Sequence, residues 1–136
     1  MFTFPMTLFG AVAKLVSFGS VSYNTTNPIN TITSNSQNFG TADPTRYLVM
    51  ILHGTNANLV SDTNYATSVS MGGVAATRIY SPGTSQLSWW NVWVAAVPTG
   101  TSGTVVVARS TGNGFSQALW SVFACYNLSL PTSYTA

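Results

Sequence analysis

Only a few residues of this 136-residue chain could do acid–base or metal chemistry. A serine-type catalytic triad would have to use His53, the single histidine, with one of the two aspartates. A glycosidase would need two carboxylates, and Asp43 and Asp62 are the only acidic side chains. Possible chemistry is therefore confined to three residues, each of which can be judged by its local sequence.

The sequence around these residues favours structural roles. His53 stands at the end of an apolar run just before Gly54, which is typical of a strand-end histidine held by loop backbone. Asp43 opens the run Asp-Pro-Thr-Arg, which is typical of a turn with a link from Asp43 to Arg46. We therefore interpret Asp43 and Arg46 as a structural turn pair and expect no catalytic residue and no enzymatic activity.

Equally few residues could bind a metal or a cofactor. A structural zinc site needs four Cys or His ligands, and the chain has one of each. A calcium site around Asp62, Asn56 and Asn58 would contain one carboxylate, which gives weak affinity. Residues 112–114 lack the lysine and the third glycine of a phosphate loop. We expect no metal and no cofactor.

Charge is scarce along the whole chain. Charged residues make up 4% of it, against about 25% in an ordinary soluble domain. The four cations, which are Lys14, Arg46, Arg78 and Arg109, stand far apart and form no basic cluster, so we expect no nucleic-acid partner. Thr, Ser and Asn number 19, 17 and 11, and hydrophobic residues make up 46%. The chain can form a core, and its surface is either covered by partners or coated with neutral polar groups.

The first twenty residues differ from the rest in their high Phe content. They could form a first strand, a short helix from Pro5 to Gly19, or an apolar arm that reaches a neighbouring subunit. We divide the chain into residues 1–20, the arm or first strand, and residues 21–136, the β-sandwich domain. The longest apolar run, residues 8–16, is broken by Gly10 and Lys14 and is far shorter than about 20 residues. We expect no signal peptide, no transmembrane helix and no membrane partner.

From residue 21 onward the pattern predicts strands and turns. Residues 46–53, RYLVMILH, are almost continuously apolar, which predicts a strand buried on both faces and ended by Gly54. Gly72-Gly73 predicts a two-residue hairpin, and Pro98-Thr99-Gly100 predicts a turn. The remaining strands are predicted at residues 20–23, 29–34, 66–71, 74–80, 86–97, 104–109 and 116–126. About eight strands predict an all-β fold, a single antiparallel β-sandwich of jelly-roll or immunoglobulin-like type with an N-terminal apolar arm.

The strand at residues 86–97 is apolar on both sides. Alternation places Trp89 and Trp93 on one face and Trp90, Val92 and Val94 on the other. One face therefore contacts something other than water. The tryptophans, including Trp120, could serve as core, as protein interface or as sugar-stacking groups. The candidate assembly contacts are Phe2, Phe4, Phe9, Trp90, Val92 and Val94.

Three segments succeed one another within residues 38–127: NFGTADPTRYLVMILHG, SVSMGGVAATRIYS and WVAAVPTGTSGTVVVARSTG. Their succession resembles a group of small β-sandwich virion structural proteins common in tailed bacteriophages and prophages. Members carry a DPTR-like turn before an apolar strand, a GGVAAT hairpin and a VPTGTSG turn before a valine-rich strand. The resemblance implies a protein of the virion, assembled in the cytoplasm of the host bacterium, with no catalytic residues.

We therefore predict a capsid decoration or cement protein, or another accessory protein of the head or tail. Its expected partners are copies of itself and other virion proteins. The alternative is a host-recognition module of a tail fibre or spike, for which a glycan would be the ligand.

Overall fold

The computed structural model describes residues 12–22, 30–56, 66–81, 88–109 and 115–130. Regular secondary structure in these ranges is entirely β, and they contain no helix long and apolar enough to cross a membrane. Eight strands of three or more residues and three two-residue strands are present in this part of the chain. They are β1 (Val12–Ser22), β2 (Thr31–Thr33), β3 (Gln37–Asn38), β4 (Tyr47–Asn56), β5 (Ser68–Met71), β6 (Val74–Ala75), β7 (Thr77–Tyr80), β8 (Ser88–Ala96), β9 (Ser102–Gly103), β10 (Val105–Ala108) and β11 (Phe115–Tyr126).

These strands form two main antiparallel sheets. The larger sheet has the order β1-β11-β4-β8-β7, and the smaller has the order β2-β10-β5-β6. Strands β3 and β9 pair separately. One continuous hydrophobic core joins residues of both main sheets, so they pack face to face. The predicted all-β antiparallel sandwich is confirmed.

The core is built from the inward side chains of alternating strand positions. In β4, Leu48, Met50 and Leu52 are fully buried, and each pairs with inward residues of β8 and β11 on either side. Large aromatic side chains fill much of the larger sheet's inner face, and aliphatic side chains oppose them from the smaller sheet. The main contributors are Trp89, Trp93, Trp120 and Val122 on the first and Ile32, Val69, Met71, Val105 and Val107 on the second.

Two expectations for residues 46–53 are wrong. Only one face of β4 is buried, because Ile51 and His53 point outward and are exposed. The strand also continues through Gly54 to Asn56, so His53 lies within it and not at its end. Gly54 pairs with Trp89, and a Cβ at position 54 would overlap the indole of Trp89. The glycine makes room for an aromatic ring instead of ending the strand.

The N-terminal part of the described chain is an edge strand. β1 pairs with β11 from Val12 opposite Tyr126 to Ser22 opposite Gln117, with a register shift between Leu15 and Ser17. The helix alternative therefore does not hold over residues 12–19, and the predicted boundary after residue 20 falls inside β1. Residues 1–11, and with them the predicted apolar arm, lie outside the described residues.

The glycine hairpin forms as predicted. Met71 pairs with Val74, so Gly72 and Gly73 are the two connecting residues between β5 and β6. Their φ angles of +59° and +81° are left-handed, and glycine adopts such angles without steric cost.

Candidate functional site

Apolar side chains are exposed mainly on the outer face of the larger sheet. Among the described residues, four large hydrophobic side chains are exposed, and three of them lie on this face. Ile51 and Trp90 are 44% exposed and Leu119 is 39% exposed. The fourth, Val74, belongs to β6 of the smaller sheet. The outer face of the larger sheet is therefore the candidate contact surface.

Strand register brings these side chains together. His53 lies between Leu119 and Trp90 in one cross-strand row. Ile51 lies between Ser121 and Val92 in the next outward row. Neighbours within a row are about 5 Å apart, and the two rows are about 7 Å apart along the strands, a distance that aromatic and long side chains span. We call the following set the outer-face patch: Tyr80, Trp90, Val92, Ile51, His53 and Leu119.

Tyr80 anchors the patch at the sheet edge. Its ring stacks on that of Trp90, with centroids 4.4 Å apart and planes inclined by 23°. A register shift between Arg78 and Tyr80 in β7 sets Tyr80 opposite Val92, diagonal to Trp90. Such aromatic pairs contribute about 0.5–1.5 kcal/mol beyond burial. The stack therefore restrains the exposed indole.

The strands that contribute most of the outer face, β4, β8 and β11, contain no Lys, Arg, Asp or Glu. The outward residues described on β4, β8 and β11 are Tyr47, Val49, Ile51, His53, Trp90, Val92, Val94, Ala96, Gln117, Leu119, Ser121, Phe123 and Cys125. A partner that covers these strands does not have to remove water from a Lys, Arg, Asp or Glu side chain. Its main gain is the burial of apolar area.

Of the six predicted assembly contacts, one is buried and three lie outside the described residues. Val94 is only 4% exposed; Thr77 pairs with it, and Ile79 and Leu130 line the same cavity. Trp90 is exposed and Val92 is half-buried, and both belong to the outer-face patch. The structure does not describe the other three candidates, which are Phe2, Phe4 and Phe9.

The four tryptophans separate into two environments. Trp89, Trp93 and Trp120 are 1%, 3% and 1% exposed and belong to the core. Trp90 is the one that remains accessible to a partner. Any protein or sugar contact through tryptophan therefore depends on Trp90.

The Asp43 carboxylate bonds to Thr45 and not to the guanidinium of Arg46. Its Oδ1 accepts hydrogen bonds from the Thr45 hydroxyl at 2.6 Å and from the Thr45 N–H at 2.7 Å. These two bonds hold the pKa of Asp43 below its ordinary value. Asp43 and Arg46 are linked through the main chain, because the Arg46 N–H donates to the Asp43 carbonyl at 3.0 Å. The turn is present, but the side chains of Asp43 and Arg46 form hydrogen bonds with different partners.

The side chain of Arg46 is fully buried among main-chain carbonyls. Its Nε donates to Val97, and its two terminal nitrogens donate to five further carbonyls at distances up to 3.2 Å. These belong to Phe39, Gly40, Thr41, Thr99 and Gly100. The guanidinium thus joins the Asp-Pro-Thr-Arg turn to the Val-Pro-Thr-Gly turn, two of the motifs on which the phage resemblance rests. Its role is structural.

The described catalytic candidates do not come together. His53 lies six residues beyond Tyr47 along an extended strand, which places it about 20 Å from the turn that holds Asp43. Asp62 lies outside the described residues, as does Asn58 of the considered calcium site. Within the described ranges, no three His, Cys, Asp or Glu side chains form a group that could hold a metal ion.

Sequence reasoning missed four members of the outer-face patch. For Leu119 the signal is present, since alternation along the predicted strand 116–126 places it on the face opposite Trp120. Strict alternation within residues 46–53 would also have separated Ile51 and His53 from the buried positions. Tyr80 gave no such signal, because its contact with Trp90 depends on the irregular register of β7.

No family model matches the chain, and no curated protein and no solved structure matches it. The resemblance to phage β-sandwich proteins remains a prediction from the three segments quoted above.

Proposed function

We propose that this protein is a structural component of a tailed-phage virion that acts by protein–protein assembly. A capsid decoration or cement protein, or another accessory protein of the head or tail, fits this role. The observation that carries the proposal is the outer-face patch, where exposed Ile51, Trp90 and Leu119 lie together on strands that contain no Lys, Arg, Asp or Glu. We infer a non-enzymatic role, located in the virion after assembly in the bacterial cytoplasm.

The energetics support an assembly role. Completing the burial of one large, half-exposed apolar side chain contributes on the order of 2 kcal/mol. Contacts of this kind accumulate when many copies bind to a particle. A surface poor in charge also lacks the mutual repulsion that would keep copies apart.

The proposal is tested with particles of a phage that encodes this chain. The tagged full-length protein is produced during infection, and particles are separated on a density gradient. We expect it to co-sediment with particles and the variant Ile51→Thr/Leu119→Thr to remain at the top. Val74→Thr is the matched control, because it removes an exposed apolar group from the other sheet. Wild-type protein left at the top of the gradient would overturn the proposal.

A second candidate is a glycan-binding module of a tail fibre or spike. The stacked Tyr80 and Trp90 rings favour it, because aromatic rings on a rigid sheet can pack against sugars. Trp90→Leu separates the two functions, since leucine keeps an apolar surface but removes the ring. Assembly predicts retained incorporation into particles. Glycan recognition predicts binding on a glycan array that this variant loses.

A further inference from the structure

His53 is the side chain of the outer-face patch that can change its charge near neutral pH. It is exposed and lies between Leu119 and Trp90 in one cross-strand row, with Ile51 two residues before it on the same face of β4. Histidine side chains in general gain a proton near pH 6.5. Tyr80 is the other titratable member of the patch, and phenols ordinarily stay neutral below about pH 10. A charge on the patch therefore comes from His53.

The outward positions that surround His53 on the neighbouring strands are apolar or neutral and polar. They are Gln117, Leu119 and Ser121 on β11 and Trp90 and Val92 on β8. Tyr47 and Cys125 share this face, but their row is six residues away along β4, or about 20 Å. The strands on either side of His53 thus place no titratable group beside it within the described ranges.

The charged residues described on the larger sheet also lie away from His53. Arg78 of β7 pairs with Trp93, a core residue, and its guanidinium packs over that ring, on the other side of the sheet. Lys14 of β1 pairs with Ala124, five residues or about 17 Å along β11 from Leu119. The other charged residues described are outside the strands of this sheet: Asp43, Arg46 and Arg109. A proton gained by His53 therefore places a positive charge among apolar and neutral polar side chains.

We propose that His53 makes the binding of the outer-face patch to its partner sensitive to pH. The inference rests on the proposed assembly function and adds a regulation to the same surface. The partner that fits is an apolar, uncharged surface of another virion protein, because β4, β8 and β11 contain no Lys, Arg, Asp or Glu with which an opposite charge could pair. Such a partner removes His53 from water, and burial favours the neutral imidazole over the charged one.

Binding is expected to weaken as the pH falls. Below about pH 6.5 a typical histidine is mostly charged, so the imidazole has to release a proton before the partner can cover it. Binding is therefore strongest above about pH 7, where the neutral form predominates. With the ordinary titration of histidine, a change from pH 7.5 to pH 5.5 weakens binding about tenfold.

Particles that carry the tagged full-length protein test the inference. They are brought to equilibrium at pH 7.5 and at pH 5.5 over a dilution series and sedimented, and the protein in pellet and supernatant gives an apparent dissociation constant. The matched variants are His53→Gln, which stays neutral at both pH values, and His53→Lys, which stays charged. His53→Leu is a second neutral variant. Near-ultraviolet circular dichroism of the buried tryptophans checks that the fold is the same at both pH values.

We expect wild type to bind about tenfold more weakly at pH 5.5 and the two neutral variants to change by at most about twofold. His53→Lys is expected to bind weakly at both pH values. Because His53 is the single histidine, pH dependence that remains in His53→Gln belongs to the partner.

Equal pH dependence of wild type and His53→Gln would overturn the inference. Tighter wild-type binding at pH 5.5 would also overturn it, as would loss of binding at pH 7.5 in both neutral variants. In each of these cases, wild-type binding at pH 7.5 would still support the proposed function. Wild type that sediments with particles at neither pH would overturn both.

Discussion

The guanidinium of Arg46 donates from Nε to the main-chain carbonyl of Val97 at 2.7 Å, across 51 residues of sequence. The remaining donors of the same group bond to five carbonyls in the segments 39–41 and 99–100. These carbonyls belong to loop backbone that forms no regular ladder at those positions. A single planar cation therefore replaces the hydrogen bonds that a sheet would provide, and it holds the two turns together.

Arg46→Lys is expected to destabilise the protein by about 3 kcal/mol or more, because buried carbonyls lose their donors. Lysine keeps the charge but has three donors at one point and cannot reach all six oxygens. Urea denaturation followed by circular dichroism measures the loss. Arg78→Lys is the control: Arg78 is exposed, its guanidinium packs 5.7 Å from the Trp93 ring centroid, and it donates to one carbonyl, that of Ala66, at 3.4 Å. We expect it to cost about 1 kcal/mol or less. Equal losses for the two variants would contradict the structural role of Arg46.

Gly54→Ala is expected to cost about 1–3 kcal/mol, because the added methyl overlaps the Trp89 indole. The Trp89→Leu background provides the comparison. There the bulky ring is absent, and the same glycine substitution is expected to cost much less. Urea denaturation of the four proteins gives the coupling free energy. A coupling near zero would show that Gly54 is needed for another reason.

The all-β fold could be predicted because hairpin turns and strand alternation are specified by residues close together in the sequence. Gly72-Gly73 specifies a turn of positive φ wherever it occurs between strands, and the tryptophan strand shows its alternation directly. The outer face was harder to recognise, because Ile51 and Leu52 are equally apolar and only register decides which is exposed. The role of Arg46 could not be predicted at all. Its six partners are main-chain carbonyls, which have no signature in the side-chain sequence.

Cys125 is expected to react slowly with thiol reagents in the folded protein. It is 8% exposed, and burial raises the pKa of its thiol, so the reactive thiolate is rarer at a given pH than in a free cysteine. The measurement is the rate of reaction with a chromogenic disulfide at pH 8, with and without denaturant. A native rate close to the unfolded rate would contradict the burial of this side chain.

Asp43 is expected to titrate below its ordinary pKa of 3.8, because Thr45 donates two hydrogen bonds to the ionised carboxylate. A lowered pKa in the folded state means that this contribution to stability is present above pH 4 and is lost as the pH falls through the folded pKa. Carbon-detected NMR titration measures the midpoint. Thr45→Val removes the hydroxyl donor and raises the midpoint. Thr41→Val should leave it unchanged, because Thr41 contributes its main-chain carbonyl to the bonds with Arg46 and Tyr126.

Trp89 and Trp90 are adjacent in sequence but are expected to respond very differently to replacement by alanine. Trp89 is 1% exposed, and its removal leaves a cavity between the sheets, at a cost of about 3–5 kcal/mol. Trp90 is 44% exposed and keeps one stacking partner, Tyr80, so its removal should cost about 1–1.5 kcal/mol. Urea denaturation of the two variants measures the difference in unfolding free energy. Equal costs would mean that the stability of the fold depends on Trp90 as much as on Trp89. The outer-face patch would then not be a surface for a partner.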